Sequence, residues 1–421
     1  MCEKIIFHID VNAAFLSWEA VYRLRVLGGT KDLREIPCAV AGDVKKRHGI
    51  ILAKSTPAKK YGIQTGELVA EALKKCPGLE LVPPHYDLYD TCSAAFMEIL
   101  RRFSPIVEQY SIDEAYCDMT GTCGMYGSPA AAAQLIRRTI RDELGFTVNV
   151  GVSSNKLLAK MASDLKKPDM VHTLFPDEIR RKMWPLPVSE LFFVGRATTR
   201  KLFSLGIRTI GELAQADPCL LKAHLKKHGL LIHQFANGID SSEVLEEIPA
   251  NKGYGNSMTM PFDAQSHEMA EHVLQALCET VGSRLRKDKV LCGVVAADIV
   301  YADFERISHQ MHLEEPTDVT RILVRAAARL FRESWNGMPV RHLGIHTSGI
   351  IPKPEEQQIL LFGWERLKKL QDIDRTADEI RNRFGEDSLK RAVYLNSPIC
   401  HMAGGISREK KSVNYQEVNV E

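Results

Sequence analysis

Nowhere in this chain do apolar residues run on for the roughly 18 positions that a membrane-spanning helix needs, which excludes a membrane span. The C-x-x-C pairs of a zinc framework are missing as well. The ten cysteines are scattered, which argues against structural zinc and points to a reduced, cytoplasmic setting. A strong charge of either sign is also absent. At +2 overall, net charge neither demands nor excludes a nucleic-acid partner, so local distribution must decide. The opening "MCEKIIFHID" has one lysine and a short apolar run ending in Asp10, and reads as a buried strand rather than a signal peptide. What is present is 45% hydrophobic and 26% charged residues, the balance of a soluble globular protein. A length of 421 residues exceeds one core and predicts about three or four domains.

The stretch "YSIDEAYCDMT", residues 110–120, sets Asp113 beside Glu114 between two strand-like runs. Alone it reads as a polar hairpin tip. Asp10, however, closes the otherwise apolar strand "IIFHID", and a carboxylate there is costly unless something pairs with it. If the two strands are neighbours, three carboxylates converge at one sheet end. Such a cluster repels itself unless divalent cations or buried bases sit within it, and the sequence shows no base adjacent to Asp10. Hard oxygen ligands suit Mg²⁺, and two such ions about 3.5–4 Å apart would clamp a phosphoryl displacement.

Periodicity predicts a strand over 4–10, a helix over 13–27, and strands in "IPCAVAGD" and "GIILAKS". A helix follows with Thr56 as N-cap and Pro57 at its first position, then helices in "LVAEALKKCP" and over 86–102. Beyond the hairpin come a helix over 128–144, the strand "FTVNVGVS", and a helix within 153–166 capped by Ser153 or Ser154. Leu157, Leu158, Met161 and Leu165 give that helix an apolar stripe. From 175 to 245 only short helices are expected, among them a helix-hairpin-helix: a turn at Val194, Gly195 and Arg196, a helix started by Thr198, a stop at Gly206, a second helix begun at Thr209. Its amides would hold a phosphate oxygen, or the pair merely packs. Residues 240–252 read as an acidic linker. Strand, helix, strand, strand, helix, strand then span 253–350, a split βαββαβ order. On its fourth element Arg306, Ser308, Gln310 and His312 alternate with apolar residues, giving a face either solvated or laid against a partner. One further helix is expected over 364–384. Between 154 and 201, ten basic residues stand against five acids, a local excess suited to a duplex backbone.

"HIDVNAAF", "YSIDEAYCDM" and "GVSSNKLLAKMASDLKKP", followed by the helix-hairpin-helix and the βαββαβ module, resemble the Y-family translesion DNA polymerases over about residues 1–350. The resemblance implies an α+β, multidomain, right-handed polymerase. Its parts would be a ferredoxin-like palm (1–13 and 86–174), small fingers (14–85), a helix-hairpin-helix thumb (175–245), a linker (246–252), a βαββαβ little finger (253–351) and a tail (352–421). It implies two Mg²⁺ ions held by Asp10, Asp113 and the Val11 carbonyl, with Glu114 completing the site. The primer 3′-hydroxyl would attack the α-phosphate of a deoxynucleoside triphosphate, and pyrophosphate would leave. Phe15 matches the steric gate against a ribose 2′-hydroxyl; a core residue of the first helix is the alternative. Ala14, Thr56, Lys59 and Lys167 match nucleotide-binding positions. Lys59 and Thr56 depart from the usual Arg and Tyr, Ala14 from an aromatic residue, and Asn12 from Asp. Gly195, Arg196, Thr198, Arg306 and Ser308 would touch primer–template DNA. Gln358, Leu361 and Phe362 in "EEQQILLFGW" resemble the pentapeptide by which bacterial polymerases dock on the sliding clamp. No exonuclease-like segment is visible, so low fidelity is implied, by a monomer working in the cytoplasm. A relative without chemistry would not need the three carboxylates. A nucleotide cyclase would not need the duplex-holding modules.

Overall fold

The computed structural model describes residues 4–42, 49–246, 249–354, 364–395, 397, 399, 401 and 402. They form two compact bodies, one of residues 4–42 and 50–246, the other of Gly49 and 249–402. Among the described residues no helix is long and apolar enough to cross a membrane.

The first body begins with β1 (Ile6–Val11), α1 (Ala14–Arg25), β2 (Cys38–Ala41), β3 (Ile51–Lys54), α2 (Thr56–Lys59), α3 (Val69–Lys75) and β4 (Glu80–Val82). It continues with α4 (Tyr86–Arg101), β5 (Ile106–Gln109), β6 (Glu114–Asp118), α5 (Pro129–Leu144), β7 (Val148–Ser153), α6 (Lys156–Asp164) and β8 (Val171–Thr173). Four helices close it: α7 (Ile179–Lys182), α8 (Arg196–Ser204), α9 (Ile210–Gln215) and α10 (Pro218–Ala236). Strands β2, β3 and β4 make a small sheet of their own.

The main sheet has the order β5-β6-β1-β7-β8, with β1 antiparallel to both neighbours. Alternation along β1 decides what each face does. Phe7, Ile9 and Val11 join a core with Phe96 of α4 and Ile136 of α5. Ile6, His8 and Asp10 point the other way, where Ala159 of α6 packs on Ile6 and Tyr116. The helix comes unusually close because β7 offers Gly151. A Cβ built there would lie 2.0 Å from the Ala159 carbonyl oxygen and 2.4 Å from the Ser163 nitrogen.

Two caps differ from expectation by a residue or two. Ser55, in extended geometry, accepts from the Ala58 amide at 3.1 Å, so Thr56 is the first helical residue and not the cap. Asn155 caps α6 by accepting from the Leu158 amide at 2.8 Å. Ser153 cannot do so, because it ends β7 and its hydroxyl donates to the Leu174 carbonyl at 2.6 Å. Helix α8 starts at Arg196 with Gly195 as N-cap, two residues before Thr198. Helix α10 spans 19 residues rather than being short, although Lys226 at φ 56° breaks it into two pieces.

The second body holds β9 (Tyr254–Ala264), α11 (His267–Lys287), β10 (Val290–Tyr301), β11 (Arg306–Thr317), α12 (Thr320–Ser334), β12 (Val340–Pro352) and α13 (Trp364–Phe384). Its sheet runs β11-β10-β12-β9, and its core takes in α11 and α12 together with Tyr394 and Ile399 from beyond α13. On the edge strand β11, Arg306, Ser308, Gln310 and His312 are exposed while Ile307, Met311 and Leu313 pack inward.

Candidate active site

The two acidic segments meet. Asp10 faces Glu114 in register across β1 and β6, and the Val11 amide donates to the Asp113 carbonyl at 3.0 Å, tying the turn to the strand end. Asp113 and Glu114 then diverge, as neighbours entering a strand must. Asp113, with Ser111 donating to its Oδ1 at 2.7 Å, lines a cavity of about 340 Å³ together with Asp10. That volume lies within the range of small-molecule sites. Glu114 turns toward α6 instead, where Lys160 Nζ lies 2.6 Å from its Oε1.

Every residue assigned to the nucleotide from sequence borders this one cavity: Ala14, Phe15, Thr56, Lys59 and Lys167, beside Asp10, Val11 and Asp113. Phe15 both packs inward and reaches the cavity. One side of its half-buried ring stacks on Tyr89, with centroids 4.5 Å apart and planes at 7°, and the residue also lines the cavity. Lys54 was missed. It borders the cavity and donates to Thr65 at 3.2 Å. A charged residue closing the apolar strand "IILAK" is the signal that singled out Asp10, and it applies to Lys54 equally.

The expectation that Asp10 has no basic partner is overturned. Lys167 Nζ lies 3.0 Å from Asp10 Oδ1, and Lys160 Nζ 3.6 Å from Oδ2. Burial nevertheless pushes the Asp10 carboxyl up to about 7, against the pull of Lys167 and Lys160. Burial would raise Glu114 too, but hydrogen bonds from His8, Asp10 and Lys160 hold it well below the usual carboxylate range. Glu114 therefore ionises first of the coupled pair. His8 is fully buried, which lowers its pKa and favours the neutral ring. The Ser163 hydroxyl donates to the Lys160 carbonyl at 2.8 Å and lies 2.8 Å from His8 Nδ1, while His8 Nε2 faces Glu114 Oε2 at 3.8 Å.

The basic stretch over 154–201 is less free than its count implied. Lys156 holds both Glu108 oxygens at 2.7 Å, Lys160 and Lys167 serve the carboxylates above, and Lys182 pairs with Glu178 at 2.6 Å. Arg196, Arg200 and Lys201 on α8 are exposed and, among the described residues, carry no ion pair. Gly195 and Arg196 are exposed at the start of α8, where no side chain caps the helix, and Thr198 is half-buried one turn in. In the second body Arg306 reaches Asp298 at 3.1 Å with its side chain largely in solvent, and Ser308 pairs with Asp298 across the sheet. Gln358, Leu361 and Phe362 lie outside the described residues.

Family models match most of the chain. That of the impB/mucB/samB family covers residues 9–164, its C-terminal domain 251–360, and the family's HHH motif 176–207. The chain is similar to DNA polymerase IV of Clostridium acetobutylicum, 44% identical over 393 residues, covering 93% of this chain and 98% of that one. It is 37% identical over 395 residues to DNA polymerase IV 1 of Bacillus subtilis, with 93% of each covered. A solved Y-family DNA polymerase chimera shares the fold at a TM-score of 0.71 and 22% identity, covering 83% of this chain and 99% of its own. On this extent of identity, the chain belongs to the impB/mucB/samB family of Y-family DNA polymerases.

Proposed function

We propose that the chain is a template-directed DNA polymerase that adds deoxynucleotides to a primer 3′-hydroxyl, with low fidelity, in synthesis past damaged templates. One observation carries this reading. A single cavity has Asp10 and Asp113 on its wall, the ammonium groups of Lys54, Lys59 and Lys167 around it, and the Phe15 ring among its lining residues. Three cations suit a triphosphate, two carboxylates suit divalent metal, and a ring suits the sugar. Lysines act here as point charges without the bidentate fork of arginine.

The donor set fits Mg²⁺. Among the described residues no group of three or more acidic, His or Cys side chains is gathered so as to hold a metal ion, and Mg²⁺ normally takes one or two carboxylates and leaves its remaining positions to water and phosphate. Asp10, Asp113 and the Val11 carbonyl would hold two such ions, with Glu114 beside them. Bound there, they would neutralise charge on the entering and leaving oxygens of the displacement. The chain's own residues do the rest. Lys59 and Lys167 orient the triphosphate so that the α-phosphorus faces the 3′-oxygen, and Phe15 leaves no room for a 2′-hydroxyl. The new bond joins that oxygen to the α-phosphorus as the bond to pyrophosphate breaks.

In this reading the palm is 1–13 and 86–174, the fingers 14–85, the thumb 175–245 and the little finger 253–351. Gly195, Arg196 and Thr198 would meet the duplex backbone, with Arg306 and Ser308 on a second surface. A monomer recruited to the sliding clamp through Gln358, Leu361 and Phe362, working in the cytoplasm, completes the proposal.

The test is primer extension with Mg²⁺ on undamaged and abasic templates. Asp113→Asn should abolish extension while primer–template binding stays within about twofold, since one charge is lost and little shape. Extension persisting within about tenfold of wild type defeats the reading. Phe15→Ala should admit ribonucleotides, and unchanged sugar selection would remove the ring from that role.

A further inference from the structure

Lys160 has a place that the reaction as described does not use. The residue is 8% exposed, and its ammonium faces Glu114 Oε1 at 2.6 Å, Asp164 Oδ2 at 3.3 Å and Asp10 Oδ2 at 3.6 Å. An ammonium has three N–H donors, and here three carboxylates surround it. Lys167, by contrast, lies past the end of α6, is one-third exposed and borders the cavity. Lys160 does not border it. Its ammonium meets the carboxylates from outside the cavity lining.

The helix that delivers this charge is fixed. Asn155 caps its start and also donates to the Gly238 carbonyl at 2.9 Å. The Ser163 hydroxyl ties the Lys160 carbonyl to His8 on β1. Gly151 lets the helix backbone lie directly on β7. An ammonium presented so rigidly, 2.6 Å from one of the oxygens assigned to metal, occupies positive charge that an entering cation would otherwise supply.

We propose that Lys160 is a built-in counter-ion of the carboxylate centre, a positioning residue that keeps Asp10 and Glu114 aligned and, by competing for them, weakens their hold on divalent cations so that these exchange readily. This rests on the reading of Asp10, Asp113 and Glu114 as the metal site. A lysine that only stabilised the fold would change stability and leave cation affinity alone.

The experiment titrates Mn²⁺ into the full-length protein without DNA or nucleotide, reading free Mn²⁺ by electron paramagnetic resonance. Asp113→Asn should lose this binding; if it does not, the metal-site reading itself fails, whatever Lys160 does. With that control in hand, Lys160→Met should bind Mn²⁺ about tenfold tighter or more, because one nearby positive charge is gone. Lys160→Arg, which keeps the charge, should stay within about threefold of wild type. Affinity in Lys160→Met within about twofold of wild type, or weaker, overturns the proposal, as does equal tightening in Lys160→Arg. Should Lys160→Met show no cooperative thermal transition, Lys160→Gln is judged by the same criterion.

Discussion

Two clusters of carboxylates, one in each body, are neutralised in opposite ways. At the sheet end of the first body, lysines do it: Lys160 and Lys167 hold Asp10, Glu114 and Asp164 at single points. In the second body, arginines do it. Glu279, 2% exposed, takes Arg381 Nη2 at 2.7 Å and is also bonded by Arg391. Arg286 forks onto Asp378 at 2.6 and 3.1 Å, while Asp374 accepts from the Thr320 amide at 2.8 Å. A guanidinium fork is planar, always charged and satisfies two lone pairs in fixed geometry; an ammonium is a compact charge that another cation can replace. The arginine cluster fastens α13 to α11 and α12, although Arg286 and Asp374 also border cavities of about 740 and 160 Å³. The lysine cluster abuts a cavity. One joins helices, the other borders the proposed nucleotide site.

The comparison breaks most visibly at Arg381. Arg381→Met leaves the buried Glu279 with Arg391 alone, and breaking a buried pair costs about 3 kcal/mol. Amides of α13 should then exchange with deuterium about a hundredfold faster, with or without Mn²⁺. Exchange rates close to wild type would mean that the arginines do not lock the helix.

Lys160→Met should cost less, about 1–2 kcal/mol, because Glu114 and Asp164 keep 18% and 42% side-chain exposure and are not stranded. Its thermal midpoint should recover on adding Mn²⁺, and the Arg381→Met midpoint should not. Recovery of both, or of neither, would erase the distinction between an exchangeable and a permanent partner.

A smaller effect is expected at Asp298, where Arg306 and His346 stand on an exposed sheet face. Burial pushes this carboxyl up, but the Ser308 hydroxyl, Arg306 and His346 outweigh it and hold it below its usual value. A folded-state pKa that is depressed gives stability present above the unfolded value, about pH 4, and lost as pH falls below it. Asp298→Asn should therefore flatten the acid limb of the stability profile. An unaltered limb in denaturant titrations between about pH 5 and 3 would show that the pairing contributes nothing.

Much of the architecture was legible because it is written in local periods. The seven elements of the second body, and the strand–helix order of the first apart from the short strands β4 and β8, follow from alternation and helical stripes, with ends shifted by a few residues. Caps shifted where two adjacent hydroxyls compete, as at Ser55 and Thr56, since backbone geometry and not composition decides. The carboxylates were legible because a charge closing an apolar strand stands out. Their lysine partners were not, because Lys160 lies 46 residues from Glu114 and reaches it only through packing of α6 on the sheet. Counting it among duplex-facing bases confused a sequence window with a surface. Nor does any period announce that Asp374 and Arg381 of α13 bond to Thr320 and Glu279.

Gly151 carries a consequence for how variants of this enzyme ought to be sorted. It does not border the cavity, yet even a methyl group there collides with backbone on α6 and must lift that helix off the strand. Lifting it would drag the Lys160 ammonium away from Asp10 and Glu114 together, while Asp164 moves with the helix. Sequence changes that silence the protein are thus expected to concentrate at this inconspicuous contact as well as among the acids themselves, and a survey confined to side chains near substrate would overlook it.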